Sequence, residues 1–210
     1  MDRGEAPSSA DRHKRAEETC MHTFDELMAI GGFSEPTWGD DVLGVKGWGL
    51  LLHTDVDGEI KDLIQFTNLI TNKGDQYYAE RAAGIGSPPG QVTGMQLGTG
   101  GGTAAAKTGA GAAIVTLTAA SLVAIDGGFP TSNGLQSGAV ACRIQWKTTW
   151  PAGTATANGI NEVALVNQST GTQTAAPASA TIARAVLGTT VNKAAGDTLA
   201  ITWNNDLLGA

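Results

Sequence analysis

The chain has 210 residues, enough for one sizeable core or one domain with an extension, and a formal net charge of -7. With no basic stripe along it, a nucleic-acid partner bound through its phosphates is not expected. Glycine, at 29 residues, has about twice its usual share, while charged residues make up 16% and aromatic ones 5%. That composition suits short strands, tight turns and small interlocking side chains, and it argues against a helical bundle.

Residues 1–40 differ from everything after them. Met1 to Glu18 carries charges of both signs together with Pro7, Ser8 and Ser9, and it lacks the apolar centre of a secretory signal. A short amphipathic helix is expected from Ala16 to Ile30, with Phe24, Leu27 and Met28 on one face and Gly31-Gly32 at its end. Phe33, Pro36 and Trp38 follow in an irregular segment. The break in composition divides the chain into an N-terminal extension, 1–40, and a β-domain, 41–210. Two readings of the extension stand side by side. It is a disordered tail, or it is an arm whose Phe24, Leu27, Phe33 and Trp38 dock on a neighbouring subunit.

From Trp48 to Phe66 the pattern is a β-hairpin, with Asp55-Val56-Asp57-Gly58 as its turn. Asp55, Asp57 and Glu59 alternate as calcium ligands would. However, an EF-hand loop also needs a third oxygen ligand before the glycine and a glutamate about six residues beyond it. Neither is present, so the turn is the better reading. The apolar run Leu63 to Ile70 then ends at Thr71-Asn72. Asn72 is the expected cap of a helix of about three turns that places Tyr77, Tyr78 and Ala82 on one side. Gly84, Gly86 and Pro88-Pro89-Gly90 stop it.

Val92, Met95 and Leu97 open a new strand, which breaks at Gly98 to Gly102. The glycine-rich GTGGGTAAAKTGAG resembles a phosphate loop only superficially. Ala106 stands before Lys107 where glycine is required, so a flexible hairpin loop is expected there. Ala110 to Ile125 is apolar and of strand-pair length. Ala139 to Trp146 alternates, with Val140, Cys142, Ile144 and Trp146 facing one way and Ala141, Arg143, Gln145 and Lys147 the other. A strand over Ile160 to Val166 contains Glu162, which faces water on an edge or is a buried structural carboxylate paired with a cation such as Arg143 or Arg184. Strands over Thr181 to Thr190 and through Leu199, Ile201 and Trp203 complete a total of about eight. Their spacing predicts a mainly β fold, an antiparallel β-sandwich or jelly-roll-like domain with one short inserted helix.

The sequence is thin in chemistry. His13 and His22 lie in the extension, His53 stands alone in a strand, and no HExxH, CxxC or GxSxG pattern occurs. Cys20 and Cys142 fall in such different settings that no disulfide framework is expected. No apolar run approaches the ~20 residues that cross a bilayer, so a membrane partner is not expected either.

The segments NLITNKGDQYYAERAAG, MQLGTGGGTAAAKTGAGA and GINEVALVN resemble a group of tailed-bacteriophage virion proteins, described variously as minor structural, capsid-decorating or tail-fibre-like. The shared pattern maps onto Asn68 to Gly84, Met95 to Gly100 and Ile160 to Asn167. The resemblance implies a particle component assembled in the host cytoplasm, with other virion proteins as partners and no catalytic residue, cofactor or metal. A symmetric shell or appendage further leads us to expect a homo-oligomer, a trimer or another cyclic assembly. The sequence has no heptads, collagen triplets or repeats, which argues against a long fibre. The alternative is a carbohydrate-binding or host-adhesion module, in which exposed Trp38, Trp48 and Trp150 would stack on sugar rings.

Overall fold

The computed structural model describes residues 23–36, 44–86, 88–133 and 142–208; Trp38 and the first residues of the strand expected from Ala139 lie outside them. The fold is mainly β. In sequence order its elements are α1 (Phe24–Ile30), β1 (Gly44–Thr54), β2 (Ile60–Ile70), α2 (Asn72–Ala83), β3 (Gly94–Gly98), β4 (Val123–Ala124), β5 (Thr131–Ser132), β6 (Cys142–Trp150), β7 (Ala157–Val166), β8 (Thr181–Lys193) and β9 (Thr198–Leu208). The nine strands form one curled sheet in the order β4-β3-β7-β8-β2-β1-β9-β6-β5, and the pairings are antiparallel.

The β1–β2 hairpin forms where its turn residues place it. Gly58 adopts φ +85°, and Asp55 Oδ1 accepts the amides of Asp57 and Glu59, each at 2.9 Å. The first member of the alternating acidic row is therefore committed to closing its own turn. The inserted helix starts one residue earlier than expected, because Thr71 and not Asn72 caps it. The Thr71 hydroxyl accepts the Gly74 amide at 3.0 Å and donates to the Thr181 carbonyl at 2.6 Å, so a single side chain caps α2 and ties it to β8. Gly84 ends the helix at φ +62°. Tyr77 and Tyr78 turn toward the core, whereas Ala82 is exposed.

The main core lies inside the curl. Leu51, Phe66, Trp146, Trp150, Ile201 and Trp203 meet Met95, Leu97, Ile160, Val163, Leu165 and Ile182 from the other half of the strand order. Phe66 and Trp203 pack edge to face with centroids 5.4 Å apart. Trp48 and Trp150 are both fully buried, which removes them as exposed sugar-stacking rings. The Trp150 indole donates to the Ser121 carbonyl at 2.7 Å, and Trp48 lies under Phe24.

The long apolar stretch from Ala110 to Ile125 does not make a strand pair. It contains a 3-10 turn at Gly109–Ala112, an isolated bridge between Gly98 and Leu117, and the two-residue β4. Its apolar side chains, Ile114 and Leu122, pack on Ala164 and Val166 of β7, so the segment covers a sheet face instead of extending the sheet. Residues 123–133 then join the two ends of the strand order. Ile125 N donates to Thr93 O at 3.1 Å on one side; Asp126 N donates to Lys147 O at 2.8 Å and Asn133 N to Arg143 O at 3.2 Å on the other. The edges of β3 and β6 are thereby covered within the molecule.

The described residues of the extension, 23–36, pack against the folded body. Thr23 and Glu26 form a reciprocal capping box that starts α1, well inside the expected Ala16–Ile30 helix. Phe24, Leu27, Met28 and Phe33 pack on Trp48, Leu50 and Leu52, the outward side of β1. Those contacts are with the protein's own sheet. The reason is chemical, since β1 is apolar on both faces and its second face needs a cover.

Candidate functional site

Three polar clusters stand out. The first surrounds Glu162 of β7, which turns away from the core that Val163 enters and is fully buried beneath the 99–116 loop. Its Oε1 accepts the amides of Gly100 at 2.8 Å, Thr116 at 3.0 Å and Val115 at 3.1 Å. Its Oε2 takes Arg184 Nη2 at 2.6 Å and Nε at 3.0 Å. Arg184, also fully buried, uses its remaining donors on the carbonyls of Thr103, at 3.0 Å, and Gly111, at 3.3 Å. A Cβ on Gly98 would fall 2.5 Å from Glu162 Oε1, which is why glycine stands where the loop leaves the strand. Both charges are paired and hydrogen-bonded, and neither carboxylate oxygen is left for a substrate. The loop expected to be a flexible hairpin is instead fastened to the sheet through this pair.

The second cluster lies beneath α1. Arg143 reaches Asp206 through Nε at 2.7 Å and Glu35 through Nη1 at 2.6 Å, and its guanidinium sits 5.0 Å from the centre of the Trp48 ring. Burial works against this charge, but the bonds to Glu35 and Asp206 prevail and hold the guanidinium above its ordinary pKa. Trp48 Nε1 donates to the same Asp206 at 3.2 Å. A cavity of about 170 Å³ remains between α1 and the sheet, walled by Phe24, Leu27, Leu50, Leu52 and Phe129 with Gln145 and Lys147 at its polar side. Arg143, Gln145 and Lys147 thus share a face as their alternation requires, and Arg143 is occupied by partners within the same molecule.

The third cluster closes the end of the β1–β2 hairpin. His53 is fully buried, with Nδ1 2.7 Å from Asp62 Oδ2 and Nε2 2.9 Å from Asp197 Oδ2. Lys61 Nζ and the Ala194 amide, both at 2.8 Å, also bind Asp197. Burial would raise the Asp197 pKa, but Lys61, Ala194 and His53 bring it down to about 2. Lys193 beside it is fully enclosed; burial lowers its pKa, and its ammonium donates to the carbonyls of Asp197 at 2.6 Å and Pro151 at 3.1 Å.

His53 is therefore not alone, as the sequence had it. Asp62 was within reach of sequence reasoning, because a turn centred on Asp57 places residue 62 opposite residue 53. Asp197 and Asp206 are far from their partners in sequence and gave no local signal. Phe24, Leu27 and Phe33 come together on β1; Glu162 sits in a separate cluster across the sheet. Among the described residues, no group of His, Cys, Asp and Glu side chains is arranged to hold a metal ion, and no helix is long and apolar enough to cross a membrane.

What these clusters share is that they fasten segments: a loop to β7–β8, the 23–36 segment to β1–β9–β6, and a hairpin to the β8–β9 turn. They define a mainly β protein whose buried charges hold its covering segments in place. No protein-family model, curated protein or solved structure matches the sequence.

Proposed function

We propose that this protein is a non-enzymatic structural component of a tailed-phage particle, a surface subunit such as a head decoration protein or a short tail appendage. The observation that carries this reading is where the three virion-like segments lie. Asn68 to Gly84, Met95 to Gly100 and Ile160 to Asn167 are distant in sequence, yet they adjoin in one unit. β3 pairs with β7, Glu162 takes the Gly100 amide, and Asn72 N donates to the Lys107 carbonyl of the loop at 3.1 Å. The residues behind the resemblance are those that build the body and fasten its loop, as a shared structural role would require. We read the curl as a two-layer sandwich, because its core draws side chains from both halves of the strand order.

Partners in this reading are other virion proteins and further copies of the same protein. The carbohydrate-binding alternative loses two of the three rings that prompted it, since Trp48 and Trp150 are buried and the third, Trp38, lies outside the described residues. The test is to raise antibody against the purified protein and probe gradient-purified particles from the producing cells. Stoichiometric labelling at the particle surface is the expected result. Its absence from particles, with the protein found only in the soluble lysate, would overturn the proposal.

A further inference from the structure

We propose that Asn158 is a site of spontaneous deamidation that Asn192 holds in check. The sequence has two Asn-Gly pairs, Asn133-Gly134 and Asn158-Gly159. Glycine after asparagine matters because, with no side chain, it leaves its backbone nitrogen unhindered for attack on the asparagine Cγ. The second pair sits at a β-bulge. Ala157 pairs with Lys193 and Ile160 with Val191, so Asn158 and Gly159 together face Asn192 alone. Gly159 takes φ +76° there, and Asn158 is exposed. The attacking group is tied down: Gly159 N donates to Asn192 Oδ1 at 2.8 Å.

In the reaction the Gly159 amide loses its proton and the nitrogen attacks Cγ of Asn158. A new N–C bond closes a five-membered imide, the bond from Cγ to Nδ2 breaks, and Nδ2 leaves as ammonia with the proton. Water then opens the ring at either carbonyl, giving aspartate or isoaspartate. The balance is one water consumed and one ammonia released. While Gly159 N–H donates to Asn192, its proton is held and the loss that precedes attack on Cγ is opposed. At Asn133 a different group is pinned, since its own Oδ1 accepts the Arg143 amide at 2.7 Å. Each event at Asn158 adds a negative charge to the surface, and the isoaspartate form lengthens the backbone by one methylene within β7.

The experiment incubates the full-length protein at mildly alkaline pH and follows Asn158 by peptide mapping with isoaspartate detection. Asn192→Ala should deamidate at Asn158 about fivefold faster than wild type, the factor that loss of one ordinary hydrogen bond supplies. Asn192→Asp keeps an acceptor for the Gly159 amide and should stay at the wild-type rate. Circular dichroism before incubation establishes that the variants are folded, as expected for a change at an exposed position. Equal rates in wild type and Asn192→Ala would overturn the proposal. So would modification confined to Asn133, or a wild-type rate equal to that of the urea-unfolded protein.

Discussion

Glu162 shows how a single side chain can carry more than an ion pair. Because its carboxylate also accepts three loop amides, replacing it by leucine does not produce a benign apolar core. It orphans Arg184 and those amides together. Both Glu162→Ala and Glu162→Leu should therefore lose ~3–5 kcal/mol of unfolding free energy in urea titrations, the range for a buried charge left without its partner. A near-native Glu162→Leu would mean that the loop amides find water instead. Asp197 gives a pH signature of known sign. Its folded pKa, about 2, lies below its ordinary 3.8, so its contribution is complete above the ordinary value and is lost as pH falls through the folded one. Stability should decline between about pH 4 and pH 2, and Asp197→Asn should flatten that part of the profile. At this scale the sequence revealed Glu162 because a charge inside an apolar run must be explained. It hid the amides around it, since backbone donors leave no mark on residue identity.

Elements were legible in proportion to how local their causes are. The β1–β2 hairpin and α2 came out nearly whole, because turn glycines and caps act over a few residues. The 110–125 stretch was misread because an apolar run of strand length can equally lie across a sheet, and only a long-range partner decides. For α1, the capping box in Thr23-Phe24-Asp25-Glu26 is the start signal, and it lies inside the longer Ala16–Ile30 span that the apolar face alone suggests. A helix of seven residues has no stability of its own and depends on what it covers. Leu27→Ala should cost about 2 kcal/mol and shift tryptophan emission to the red as Trp48 gains contact with water. Deleting residues 1–36 should leave a cooperatively melting body with a lower midpoint, now exposing Trp48, Leu50 and Leu52. Failure of that truncated protein to fold would place α1 within the obligatory core.

For the whole molecule, the sheet's covered edges restrict how copies can meet. With residues 123–133 bonded to both β3 and β6, a neighbour cannot add a strand at those two edges and must dock elsewhere. The proposed cyclic homo-oligomer should appear in light scattering at micromolar concentration as a discrete multiple of the subunit mass, and a monomer in both full-length and 1–36-deleted protein would rule it out. The position of β9 has its own consequence for biosynthesis. This ninth strand lies between β1 and β6, and Trp48 and Asp206, 158 positions apart, bond directly. Until β9 has left the ribosome, the place between β1 and β6 is empty and the facing edges of those strands have nothing to close on. Native structure must therefore wait for that strand, and throughout the synthesis of the preceding eight the nascent polypeptide depends on whatever shields those edges in the cell. A premature stop codon anywhere before β9 would yield an unfolded polypeptide, not a smaller version of this protein.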